Sequence, residues 1–156
     1  MGDQPAREVS VVVPATTQQT WDAVTDLKAM RRRSPELVGM WVLGSLRTGR
    51  FALNLNRRGW FMWPTTSRIT DFTPPGGAQH GRFAFTVWPT DVEWSYEVAE
   101  HPDGALLTER RTAVVDASLV VRATARLALG GQDGHDAEIA DGMQATLDAI
   151  KTDLSR

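Results

Sequence analysis

Between Glu36 and Val115 the chain alternates apolar and polar residues in short runs broken by turn signals, the period-two signature of β-strands. Runs at 38–43, 51–57, 63–72, 82–87, 92–99 and 106–115 are separated by Leu46-Arg47-Thr48-Gly49, Thr73-Pro74-Pro75-Gly76-Gly77, Trp88-Pro89-Thr90-Asp91 and His101-Pro102-Asp103-Gly104. Connections this short imply an antiparallel meander, because parallel pairing needs a crossover of a dozen or more residues. Val92, Trp94, Tyr96 and Val98 alternate with Glu93, Ser95 and Glu97, which predicts a strand buried on one side.

Ahead of the meander, a Val-rich run over 8–13 reads as a strand that Pro14 ends. Thr16 and Gln19 make a capping-box pair for a helix carrying Trp21 and Val24 on one face. Asp26 caps a second short helix over 27–33, which Ser34-Pro35 terminates. Behind the meander, 117–129 reads as helix or as a further strand, and Gly130-Gly131 breaks it. Ala140, Met143, Leu147, Ile150 and Leu154 then recur at steps of three and four. Asp133 or Asp136 can cap this last helix, which at 1.5 Å per residue is on the order of 30 Å long. The plan is α+β: a curved antiparallel sheet of about seven strands wrapped around a long C-terminal helix, with two short helices after strand one. One domain over 1–156 is expected at this length.

Extending the alternation assigns an inward face. Trp94 and Tyr96 point in, as do Phe83, Phe85 and Val87. Trp41 with Leu43, and Phe51, Leu53 and Leu55 with Arg57 at the strand end, are placed inward on the same logic. The stretch from Asn56 to Arg68 adds Trp60 and Trp63, and the helix stripe adds Met143 and Leu147. So many large aromatics suit the wall of an internal cavity for a small hydrophobic ligand, and each one singly suits ordinary core as well. Glu109 shares the face of Leu107 and Arg111. The blander placement puts it on the solvent side. The alternative is a desolvated carboxylate paired with Arg57 or Arg68, able to orient a ligand or move a proton, with Asp91 a second such candidate.

Composition narrows the rest. A net charge of −2 supplies no basic face for nucleic acid, and the lack of Cys excludes disulfides, thiolate metal sites and a Cys nucleophile. No apolar run approaches the roughly 20 residues of a membrane span. The polar start is unlike a secretory signal, and Ala6 spoils a myristoylation pattern, so a cytoplasmic setting is expected. His80, His101 and His135 lie near turns without ligand spacing, so neither metal nor cofactor is expected. There is no Gly-x-Ser-x-Gly elbow, and Gly130-Gly131-Gln132-Asp133-Gly134 lacks phosphate-loop spacing. Arg31-Arg32-Arg33 meets the negative end of its helix dipole. Monomer and homodimer both remain open.

Three segments resemble the polyketide cyclase/dehydrase-like branch of the START and pollen-allergen (SRPBCC) superfamily. Val11-Val12-Val13-Pro14-Ala15-Thr16-Thr17 with Trp21-Asp22-Ala23-Val24-Thr25-Asp26 is similar to its opening strand, turn and first helix. Asn56-Arg57-Arg58-Gly59-Trp60 through Trp63-Pro64-Thr65-Thr66-Ser67-Arg68 is similar to its mid-sheet segment, and Gly142-Met143-Gln144-Ala145-Thr146-Leu147 to its closing helix. The resemblance implies the helix-grip fold with a hydrophobic tunnel beneath the terminal helix. It carries over no catalytic residue, because the superfamily has no universal catalytic motif and includes lipid carriers, receptors, aromatase/cyclases and regulators. The expected function is binding of a lipid, polyketide or aromatic metabolite. Alternatives are a cyclase or dehydratase using a cavity carboxylate, and a regulatory protein-interaction module.

Overall fold

The computed structural model describes residues 7–113 and 132–156, with side chains from 137 onward in the second stretch. Strand β1 (Arg7–Val13) leads into helices α1 (Thr17–Thr25) and α2 (Leu27–Arg33). Six strands follow: β2 (Leu37–Val42), β3 (Phe51–Arg58), β4 (Phe61–Thr73), β5 (Gly81–Trp88), β6 (Val92–His101) and β7 (Gly104–Ala113). Helix α3 (Gln132–Leu154) closes the described chain. All neighbours pair antiparallel in one seven-stranded sheet of order β1-β7-β6-β5-β4-β3-β2. This is the α+β helix-grip architecture. The alternatives for 117–129, and the caps proposed at Asp133 and Asp136, lie outside the described residues and side chains.

The helix starts obey their local chemistry. Thr16 Oγ1 accepts from the Gln19 amide at 3.1 Å, while the Gln19 side chain accepts from the Thr16 amide at 3.0 Å, so two unpaired N–H groups are satisfied reciprocally. Asp26 Oδ1 accepts from the Ala29 amide at 3.1 Å and starts α2 at once. At the other end of α2, Arg33 donates to the Ala23 carbonyl at 2.7 Å and to Asp153 at 2.8 Å, tying both short helices to the end of α3. This basic run therefore clamps elements together besides meeting a helix dipole.

Register irregularities between Leu37 and Gly39 in β2 and between Ile69 and Asp71 in β4 bend the sheet. On its concave side, α3 buries Ile139, Met143, Leu147 and Ile150, spaced at three and four residues, against β1, β7 and the short helices. That concave side divides along the strands into two halves. One half is solid, with Val13, Trp21, Val24, Ile69, Phe83, Val98 and Leu107 packed with Leu147 and Ile150. The other half is not filled.

Candidate functional site

Strand pairing arranges the site in rows. Phe83, Tyr96 and Glu109 are partners across β5, β6 and β7, and the next inward row is Phe85, Trp94 and Arg111. Phe83 belongs to the solid half, and its ring stacks on Tyr96 at 6.4 Å between centroids. Beyond that row lies a cavity of about 490 Å³ with Tyr96 and Glu109 as its floor. Phe85, Val87, Val92 and Trp94 form one wall, and Phe61 and Trp63 of β4 form another. Ile139 of α3 and Leu37 at the start of β2 close it from the helix side, and Thr90 of the β5–β6 turn stands at its edge.

Polar groups reach the cavity at two places. On β3, Asn54 and Asn56 turn inward, and both amides donate to Thr65 Oγ1 on β4, at 3.3 and 3.0 Å; Ser67 donates to Asn54 at 3.4 Å. This ladder ties β3 to β4 through polar side chains. The second place is the floor. Glu109 is only 3% exposed, and the Tyr96 hydroxyl donates to its Oε1 at 3.0 Å. Oε2 has no hydrogen-bond partner among the described residues. Burial pushes the Glu109 carboxyl up to about 8, against the opposing pull of the Tyr96 hydrogen bond. At neutral pH this is a carboxylic acid. Burial raises Tyr96 well above the phenol range, helped by the Glu109 charge and hydrogen bond, so it remains a donor.

A charged group borders the same space. Glu36 lines the cavity, and burial raises its pKa while Arg111 and Arg58 pull it down and Glu138 opposes them. Arg58 reaches Glu138 at 2.6 Å and so links the end of β3 to α3. The Arg111 guanidinium lies 6.0 Å from the centre of the Trp94 ring, a cation–π distance.

Of the residues the sequence singled out, Trp63, Phe85, Trp94, Tyr96 and Glu109 converge on the cavity. Glu109 is not on the solvent side, and its partner is Tyr96 rather than Arg57 or Arg68. Phe83, Met143 and Leu147 are buried but do not line the cavity.

Other placements are corrected. Trp41, Leu43, Phe51 and Leu53 are exposed on the convex face. The reason is parity: β3 turns Ala52, Asn54 and Asn56 inward, so its apolar alternate set, Leu55 included, faces out. Trp41 pairs with Leu53 on that same outer side, while Met40 is buried on the inner one. Arg57 is exposed, and its amide donates to the Glu36 carbonyl at 2.8 Å. Trp60 is 93% exposed at the tip of the β3–β4 hairpin, beside Gly59, whose φ of 60° makes the tight turn. Asp91 is exposed in the β5–β6 turn and does not line the cavity. His80 is exposed and pairs with Glu97.

Asn54, Asn56, Thr65, Glu36 and Ile139 are site residues the sequence reading missed. The two asparagines are the polar half of an amphipathic strand, and polarity by itself does not distinguish a solvent face from a hydrogen-bonded inner one. No grouping of three or more His, Cys, Asp or Glu suited to a metal occurs among the described residues.

A family model described as polyketide cyclase/dehydrase and lipid transport matches residues 5–154. No curated protein matches the chain. Solved structures match throughout its length. TTHA0849 from Thermus thermophilus superposes with a TM-score of 0.69 at 9% identity, covering 96% of this chain and 97% of that one. The Zhui aromatase/cyclase from Streptomyces sp. R1128 gives 0.64 at 15% identity, covering 97% and 94%. The di-domain aromatase/cyclase StfQ of the steffimycin biosynthetic pathway gives 0.71 at 13% identity, with 94% of this chain matching 49% of that one. At these identities the likeness is one of fold.

Proposed function

We propose that this chain, which belongs to the polyketide cyclase/dehydrase and lipid-transport family, holds a small hydrophobic molecule in the cavity between its sheet and its C-terminal helix. The observation that carries this reading is the half-filled concave side. A chain that packs Phe83, Ile69 and Leu107 solidly at one end leaves about 490 Å³ open at the other, walled by Phe61, Trp63, Phe85 and Trp94. That volume lies within the range of pockets that enclose drug-sized ligands. Binding would draw on buried apolar area at roughly 25 cal/mol per Å², less the cost of immobilising the ligand. Gentle extraction of the purified protein, followed by mass spectrometry, tests this. A lipid, polyketide or aromatic metabolite should co-purify in stoichiometric amount. A protein that is empty, and that shows no thermal shift with a panel of such compounds, would count against it.

A second reading, an enzyme of the cyclase or dehydratase kind, is favoured by one feature: an acid at the cavity floor that stays protonated at neutral pH. In a dehydration, Glu109 would give its proton to the departing hydroxyl, which leaves as water. The carboxylate so formed would take the proton from the adjacent carbon as the double bond forms. Glu109→Gln abolishes such turnover if the reading is right, and unchanged turnover excludes it.

A further inference from the structure

Glu109 has a defined orientation as well as a defined charge state. Its Oε1 accepts from Tyr96, so in the neutral acid the proton resides on Oε2, the oxygen that has no partner among the described residues. A buried donor without an acceptor is destabilising, and an acceptor presented by a ligand would recover that cost. No described residue is hydrogen-bonded to Oε2. Trp94 and Phe85 present rings, and the Asn54–Thr65–Ser67 ladder is bonded within itself.

We infer that Glu109, oriented by Tyr96, is the specificity determinant of the cavity, donating a hydrogen bond to a neutral oxygen acceptor of the ligand, a ketone or quinone carbonyl on an otherwise apolar skeleton. The inference rests on the cavity being a ligand site and adds which ligands it selects. A hydrocarbon of the same shape gains the apolar contacts but leaves the Oε2 proton unmatched. A buried anion would need a cation, and Arg111 already faces Trp94 and acts on Glu36. Tyr96 on β6 pulls on the Glu109 proton through its hydrogen bond, and the other charged groups bordering the same cavity are Arg111 on β7 and Glu36, just ahead of β2. Val9, the β1 partner of Glu109, and Ile139 on α3 carry no charge.

The test compares 9-fluorenone with fluorene, which share a tricyclic skeleton and differ in a carbonyl, by quenching of tryptophan fluorescence at pH 6.5 and 9.5. The wild type should prefer the ketone by about tenfold at pH 6.5, the worth of one hydrogen bond, and lose most of that preference at pH 9.5, where Glu109 is ionised. Glu109→Gln keeps an N–H donor, so its preference should persist at both pH values. Glu109→Leu should bind both compounds alike. Equal affinity of the wild type for the two compounds at pH 6.5 overturns the inference while leaving the cavity as a hydrophobic site. A ketone preference that survives in Glu109→Leu also overturns it. If the wild type binds neither compound, the cavity reading fails and takes this inference with it. The wild-type comparison at two pH values stands even where a variant does not fold.

Discussion

The indole of Trp21 on α1 lies against the backbone of Gly81 at the start of β5, so closely that a Cβ on Gly81 would stand 2.8 Å from Trp21 Cε3. Pro75 crowds the same point, with its Cδ 2.9 Å away. Trp21 is itself buried and packs on Phe72 at 5.3 Å between centroids, so it has no room to retreat. This contact seats the short helices on the solid half of the core, away from the cavity.

Gly81→Ala should therefore destabilise the protein by about 2 kcal/mol through overpacking, seen as a lower midpoint in urea. Ligand affinity of the folded fraction should not change, because neither Gly81 nor Trp21 lines the cavity.

Stability should fall as pH rises, and Glu109 is the main reason. Its folded-state pKa of about 8 stands above the ordinary 4.5, so the native protein holds a proton that the unfolded chain releases between those values. The contribution is complete below pH 4.5 and is lost as pH climbs through 8, on the order of 4 kcal/mol between pH 5 and pH 9. Glu36, also raised by burial, adds in the same direction. Glu109→Gln should flatten most of this slope in denaturation curves collected across that range. An unchanged slope would place the titration elsewhere.

Removing the Tyr96 hydroxyl should act through Glu109. Tyr96→Phe deletes the hydrogen bond that favours the ionised carboxylate, so the carboxyl should titrate even higher than in the wild type. The direct check is the carboxyl carbon shift of Glu109 followed by NMR over pH. The loss in stability at pH 6 should be about 1 kcal/mol, the net worth of one buried hydrogen bond.

The two sides of the sheet should respond differently to mutation. Leu53→Thr alters an exposed convex position, so it should change stability by less than about 1 kcal/mol and leave ligand affinity untouched. Phe85→Ala deletes a cavity wall and should weaken binding of apolar probes at least tenfold, with a stability loss of about 2–3 kcal/mol. Fluorescence titration and urea denaturation on both variants give the comparison.

What was legible in the sequence follows from how local each signal is. Thr16 with Gln19, and Asp26 with Ala29, are contacts within one turn, and both caps form as their spacing requires. The alternation through Val92, Trp94, Tyr96 and Val98 puts apolar residues inward, where both sheet neighbours support it. On β3 the same rule fails. There the inward positions go to Asn54 and Asn56, because Thr65 and Ser67 on β4 meet their hydrogen-bonding needs, and Phe51 and Leu53 are left outside. Which face of an amphipathic strand turns inward depends on partner strands, which no single run of residues reveals. The two placements open for Glu109 are decided in the same way: the hydroxyl that its buried carboxyl accepts from belongs to the distant Tyr96, and pairing between β6 and β7 is what brings it there.

The six tryptophans provide the most direct test, since their indole N–H signals report from separate places in the fold. Trp63 and Trp94 line the cavity, Trp21 lies in the solid core, and Trp41 is exposed on the convex face. In an NMR titration of the nitrogen-15-labelled protein with 9-fluorenone, a ligand seated between sheet and helix predicts saturable one-to-one shifts of the Trp63 and Trp94 signals, with Trp41 unmoved. Shifts confined to Trp41, or no saturable change at Trp63 and Trp94, would contradict it.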